Sequence, residues 1–356
     1  MRLSEKTGNK DNNFNLLRLA AATFVLVHHA YALAREDDKI NWIVGEMLGS
    51  AVPIFIIISG FLVTRSWTSN PRPLAFIMKR LARIIPALAC SVLVAVLVIG
   101  PLVTSVDLGN YFSSPLTALY LKSILLYPNP IYHLLPGVFE HNPFPFAVNG
   151  SLWTLPIEVF LYGVLLCLGL ARVLTKRFLL LLIVLCLISA EQYFKMSLTT
   201  LFLTMQLGSL IQLAIFFCIG ALYCLYFEKI RVYPWLAVLL FPIFLVANKL
   251  PFADAIRYLV LPYLVLCCAY VEIAPLRFFQ RFDVSYGVYV YAFPVQQMVI
   301  YYLFDKLETY AQLGLSFVIV LVVSYLSWRY VERPCLTWSR HAVSKITEES
   351  VSLQPG

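Results

Sequence analysis

The chain has 356 residues, of which 60% are hydrophobic and only 13% charged, with a formal net charge of +8. A soluble domain carries roughly 45–50% apolar and ~25% charged residues, so this composition excludes an ordinary soluble protein and indicates a polytopic membrane protein. The positive charge does not indicate nucleic acid, because the basic residues lie between the apolar runs instead of forming one patch or tail.

Residues 1–13 form a polar, basic tail with Arg2, Lys6 and Lys10. The stretch 14–34, FNLLRLAAATFVLVHHAYALA, is long enough to cross a bilayer, which takes ~20 residues. It also carries Arg18 and the pair His28–His29, and ionisable groups inside a span point to function. Arg18 and His29 lie eleven positions apart, so they share a helix face, separated by roughly 16 Å along the axis. Plainer readings stand beside this one. Arg18 also suits an anchor that snorkels to the headgroups, and His29 a packing histidine. The basic start, apolar run and Ala32-Leu33-Ala34 have a signal-peptide pattern too, but the histidine pair favours a retained helix.

An acidic loop follows, and the second span covers about 46–66, including AVPIFIIISGFLV. Arg65, Arg72, Lys79, Arg80 and Arg83 form the densest basic stretch, from which the third span runs to about 104. Residues 105–148 form the longest segment without a span and hold His133, Glu140 and His141; the short apolar run 116–127 suggests a re-entrant or surface helix. The fourth span begins at SLWTLPIEV, with Thr154 as a plausible N-cap and Glu158 near the helix start, where the dipole favours a carboxylate. Further spans are expected at about 178–193, within 197–227 (too long for one upright span, so a re-entrant turn precedes the helix), and at 233–248, 253–273, 284–304 and 311–330. The chain thus reads as an all-α polytopic membrane protein with about ten transmembrane helices: a tail over 1–13, a membrane domain over 14–330 and a second tail over 331–356.

Ten spans place both termini on one side. Assigning that side to the cytoplasm puts most of the 27 lysines and arginines inside, including those after Ala171 and Arg277 and Arg281, as the positive-inside rule requires. Lys195, Arg257 and Lys306 then fall on the outer side. The eight cysteines sit almost entirely in apolar runs with no CxxC spacing, so no metal or redox site is expected.

In this orientation His29 and Glu158 lie at similar depth below the outer face, a match that suits a base and its orienting carboxylate or a structural ion pair. Arg80 and Arg83, three apart, share a face at the inner end of their helix; guanidinium groups suit phosphate, and they equally serve topology.

At these residues the chain resembles the acyltransferase-3 family of membrane acyltransferases. NNFNLLRLAAATFVLVHHA is similar to the family's first helix, with Arg18 and His29 at its basic residue and histidine. VPIFIIISGFL, KRLARIIP, SLWTLPIE, SYGVYVYAFPVQQ and the closing VERP match further motifs in order. The resemblance is to stand-alone members such as O-antigen, exopolysaccharide and nodulation-factor acetylases. One departure is Ala292, where many members carry a histidine; Ser285, Tyr286 and Tyr289 nearby read as packing more readily than as an acceptor path.

The resemblance implies an enzyme of the inner (plasma) membrane that moves an acyl group, most often acetyl, from acyl-CoA to a hydroxyl of a cell-surface or lipid-linked glycan. His29 is then the general base and Glu158 its partner, with a transient acyl-histidine as an alternative. Arg18, Arg80 and Arg83 are the substrate-binding residues. Acyl-CoA is a co-substrate, with no permanently bound cofactor, and the bilayer and a saccharide are the other partners, with room for a homo-oligomer. The rival readings are a glycan-lipid transporter or flippase using the same charges, and a non-catalytic membrane assembly subunit.

Overall fold

The computed structural model describes residues 12–126, 133–194, 201–202, 205–271 and 283–352. Arg2, Lys6, Lys10, Lys195, Arg277 and Arg281 lie outside them. In chain order the helices are α1 (Phe14–Ala34), α2 (Trp42–Gly49), α3 (Ala51–Ser69), α4 (Pro73–Val94), α5 (Gly100–Val103), α6 (Leu108–Ser113), α7 (Pro115–Lys122) and α8 (Thr154–Leu170). They continue with α9 (Arg177–Phe194), α10 (Leu207–Leu225), α11 (Pro234–Leu245), α12 (Ala253–Tyr270), α13 (Ser285–Leu303), α14 (Thr309–Ser327) and α15 (Arg333–Ser352). The described residues contain two strands, β1 (Leu201–Phe202) and β2 (Met205–Gln206), which pair antiparallel just before α10, where a re-entrant turn was expected.

Local chemistry sets several boundaries. Arg35 closes α1 in a left-handed conformation (φ 58°), with its N–H on the Ala32 carbonyl. Asn41 caps α2 by accepting from the Ile43 N–H at 2.9 Å. Pro73 and Pro115 occupy first turns, where their missing N–H costs nothing. The apolar run 116–127 does form the short helix α7 instead of a span. Thr154 is not the N-cap of α8: a 3₁₀ turn over Gly150–Trp153 runs directly into the helix.

Among the described residues seven helical stretches are long and apolar enough to cross a membrane: Phe14–Ala34, Trp42–Ser69, Pro73–Val103, Gly150–Leu170, Leu207–Leu225, Ala253–Tyr270 and Thr309–Ile346. The other three expected spans are helical as α9, α11 and α13 but are not among the seven. α11 has 12 residues, a rise of roughly 18 Å. α13 carries three tyrosines and two glutamines within SYGVYVYAFPVQQ and one more pair of tyrosines beyond them, mixed among its apolar residues. Residue 330, the expected end of the membrane domain, falls inside a π-helical turn (Trp328–Glu332) through which α14 continues into α15.

The chain divides into two compact units: residues 1–65 with 153–285, and residues 66–152 with 286–356. In the first unit α3 and α10 touch backbone to backbone. A Cβ on Gly60 would collide with the Phe217 carbonyl oxygen, and one on Gly220 with the Ile57 carbonyl oxygen. Small residues permit such close approach where lipid gives no hydrophobic drive between helices. Asn13 pins the start of α1 to the end of α12. Its N–H donates to the Ala269 carbonyl at 2.9 Å, and its side-chain amide to Cys268 (3.0 Å) and Val271 (2.6 Å). Phe14, Phe61, Phe227 and Tyr270 close that end, with neighbouring ring centroids 5.5–5.7 Å apart.

In the second unit α13 is buried along most of its length. Pro294 has no N–H to offer the carbonyl of Val290 one turn earlier. That carbonyl instead accepts from the Asn149 amide at 2.8 Å and the Ser91 hydroxyl at 3.2 Å. Gln297, fully buried, fastens the loop before α8: its amide donates to Phe144 and Ala147, and its Oε1 accepts from Asn142. α15 and the π turn pack on α4.

Candidate active site

α1 brings His28 and His29 to the wall of a cavity of about 490 Å³ in the first unit. Its other walls come from α2, the first turn of α3, Trp153, α10, Phe244 and α12. His28 is exposed and His29 partly buried, with ring centroids 6.3 Å apart. Adjacent residues on a helix point ~100° apart, which favoured a single histidine facing the site. Both nonetheless line the cavity.

Arg18, three turns away, does not line this cavity. Its guanidinium lies 3.8 Å from the Asp283 carboxylate, which also accepts a 2.8 Å hydrogen bond from Ser285. Glu158 sits in the second turn of α8. One of its carboxylate oxygens accepts from the Ser59 hydroxyl at 2.9 Å and from the Tyr162 hydroxyl one turn along. The carboxylate is thus held by two hydroxyls of α3 and α8, and the structure does not hydrogen-bond it to His29.

A pair not singled out from sequence stands in the cavity wall with the histidines. Arg257 of α12 grips Glu46 of α2 in a two-pronged ion pair, Nε to Oε1 and Nη2 to Oε2, each 2.6 Å, and its Nη1 reaches Asp254 at 3.3 Å. The side chain of Glu46 is 6% exposed and that of Arg257 28%. Opposite charges inside two apolar runs were the available signal.

Arg80 and Arg83 lie in the second unit on α4, both half-buried. The Arg83 guanidinium stands 5.7 Å from the centre of the Tyr286 ring and that of Arg80 6.0 Å from the Phe76 ring, so each is oriented by an aromatic face. Tyr286 and Tyr289 donate to the carbonyls of Ile84 and Ser151, a packing role. Among the described residues no group of three His, Cys, Asp or Glu side chains is placed to hold a metal ion.

Helices of membrane-crossing length, with histidines and an ion pair around a partly polar cavity, define a multi-pass membrane protein. A family model described as an acyltransferase domain matches residues 11–329, nearly the whole chain. The chain belongs to this acyltransferase-3 family. It is 33% identical over 351 residues to an O-acetyl transferase of Shigella phage Sf6, covering 94% of this chain and 99% of that protein. It is also 30% identical over 327 residues to Nodulation protein 10 of Rhizobium leguminosarum bv. viciae, covering 83% and 86%. No solved structure matches the chain significantly. The protein is a membrane acyltransferase, and its relatives support O-acyl transfer.

Proposed function

We propose that this protein moves an acyl group, acetyl foremost, from cytoplasmic acyl-CoA to a hydroxyl of a cell-surface or lipid-linked glycan in the plasma membrane. The observation that carries this reading is His29 in the wall of a partly polar cavity, in a chain akin to an O-acetyl transferase. His29 acts as general base. It takes the acceptor hydroxyl's proton as the oxygen attacks the thioester carbonyl, and the CoA thiolate leaves as the ester forms. Such catalysis is typically worth ~10²–10⁴-fold.

Arg80 and Arg83 bind the CoA phosphates, for which the forked guanidinium is well shaped. Arg18 serves the donor side by fixing α1 through Asp283. Glu158 supports the reaction from its place between Ser59 and Tyr162, tying α8 to α3. Both termini face the cytoplasm.

The test is transfer of label from radiolabelled acetyl-CoA to saccharide in membranes containing the full chain, with and without His29→Ala. Label in the saccharide that depends on His29 supports the reading. Saccharide crossing the bilayer with no label incorporated would support a transporter.

A further inference from the structure

The Glu46–Arg257 pair has no part in the proton transfer just described, yet it shares the cavity with both histidines. Arg257 has five N–H donors. Three are engaged, two by Glu46 and one by Asp254, leaving one on each terminal nitrogen. The Glu46 oxygens each accept one of these bonds and keep lone pairs. The pair therefore offers both donors and acceptors at one fixed place, which matches hydroxyl groups, since each hydroxyl can accept and donate at once. On the same wall stands Trp153, 41% exposed, whose flat indole face suits the C–H face of a sugar ring. The volume of about 490 Å³ lies within the ~300–1,000 Å³ typical of small-molecule sites.

Charge narrows the ligand further. One guanidinium faces two carboxylates, Glu46 on the cavity wall and Asp254 behind it, and the histidines His28 and His29 complete the titratable residues of the wall. The cluster of one guanidinium and two carboxylates carries a negative balance. An incoming carboxylate or phosphate would find the guanidinium already engaged and Glu46 beside it.

We propose that Glu46, Arg257 and Trp153 form the acceptor subsite, which selects an uncharged, hydroxyl-rich saccharide and rejects acidic sugars. The saccharide class rests on the function proposed above; the charge preference rests on the pair itself. Arg257 binds the acceptor, and Glu46 sets both its direction and its charge selectivity.

The test uses the purified full chain in lipid nanodiscs on an array of matched neutral, uronate-bearing and phosphorylated oligosaccharides. The wild-type chain should hold neutral members at least tenfold more tightly than their uronate counterparts. Glu46→Gln keeps the side chain's shape but removes one carboxylate, and should cut that preference tenfold or reverse it. Removing one partner of a buried pair can unfold a protein, so Trp153→Ala provides a second arm: it should weaken neutral binding about tenfold and leave acetyl-CoA affinity unchanged. A wild-type chain that binds no saccharide, or binds uronates equally well, overturns the subsite, as does an unaltered profile in folded Glu46→Gln. Label transfer from acetyl-CoA, measured in parallel, separates the two ideas. Transfer with a charge-blind array sinks only the subsite, whereas no transfer sinks the enzyme reading while the array still judges the subsite.

Discussion

Asn149 donates its side-chain amide to the backbone carbonyl of Val290 at 2.8 Å, supplying the hydrogen bond that Pro294 withholds. Within a membrane protein an unsatisfied carbonyl is costly, so a helix-interior proline needs such a substitute donor. Asn149→Ala leaves that carbonyl only the 3.2 Å bond from Ser91, and should lower stability by about 0.5–1.5 kcal/mol, the usual net contribution of one hydrogen bond. In a Pro294→Ala background the new N–H can serve Val290 itself, and the same Asn149→Ala change should cost markedly less. Unfolding midpoints in detergent for the four members of this cycle check the point; strict additivity would mean that Asn149 acts elsewhere.

Gly60 and Gly220 should tolerate no enlargement. Each would drive a methyl group into the carbonyl of the opposite helix. Gly60→Ala or Gly220→Ala is expected to destabilise the first unit by about 1–3 kcal/mol, the usual range for overpacking. A folded variant with an unchanged thermal midpoint would show that α3 and α10 separate at little cost.

His29→Ala should abolish acyl transfer, a loss of ~3–5 kcal/mol of transition-state stabilisation. His28 also lines the cavity but is exposed, so His28→Ala should retain most activity and chiefly raise the acceptor KM. Acetylated acceptor formed per unit of folded protein distinguishes the two. Loss of turnover in His28→Ala alone would reverse the assignment.

Arg80→Ala or Arg83→Ala should raise the donor KM tenfold or more, because charge-assisted hydrogen bonds contribute roughly 1.5–3 kcal/mol each. Added salt should have the same direction of effect. Unaltered donor affinity in the folded double variant would leave these arginines a topological role only.

Glu158→Gln keeps the acceptor oxygen that Ser59 and Tyr162 share but removes its charge. Activity should fall in Glu158→Gln, whereas Tyr162→Phe, which deletes one of two donors, should fall less. If Glu158→Gln is as active as the wild type while Tyr162→Phe is not, the carboxylate serves only as a hydrogen-bond acceptor.

The helices were readable because bilayer crossing demands long apolar runs, and the run 14–34 coincides with α1 residue for residue. α11 and α13 were harder to place. One is short, and Tyr286, Tyr289 and Gln297 of the other bond to partners distant in sequence. At the site, His29 was marked by its position inside a span, but the partners of Glu158 were not. Tyr162 stands one turn along, a spacing the sequence displays, whereas Ser59 comes from another helix. Glu46 and Arg257 lie 211 residues apart, and only folding shows that each is the other's counter-charge.

The two units interleave along the chain, and this bears on synthesis at the membrane. Asn13 secures α1 by bonding to Cys268, 255 residues further on. At ~5–20 residues per second a ribosome needs roughly 13–50 s to cover that distance. Until then α1 dwells in the bilayer, with Arg18 and its histidines, before the helix end that anchors it exists. Chains that stop short of Cys268 therefore lack every carbonyl to which Asn13 donates, and quality-control proteases should meet them with Arg18 still awaiting Asp283.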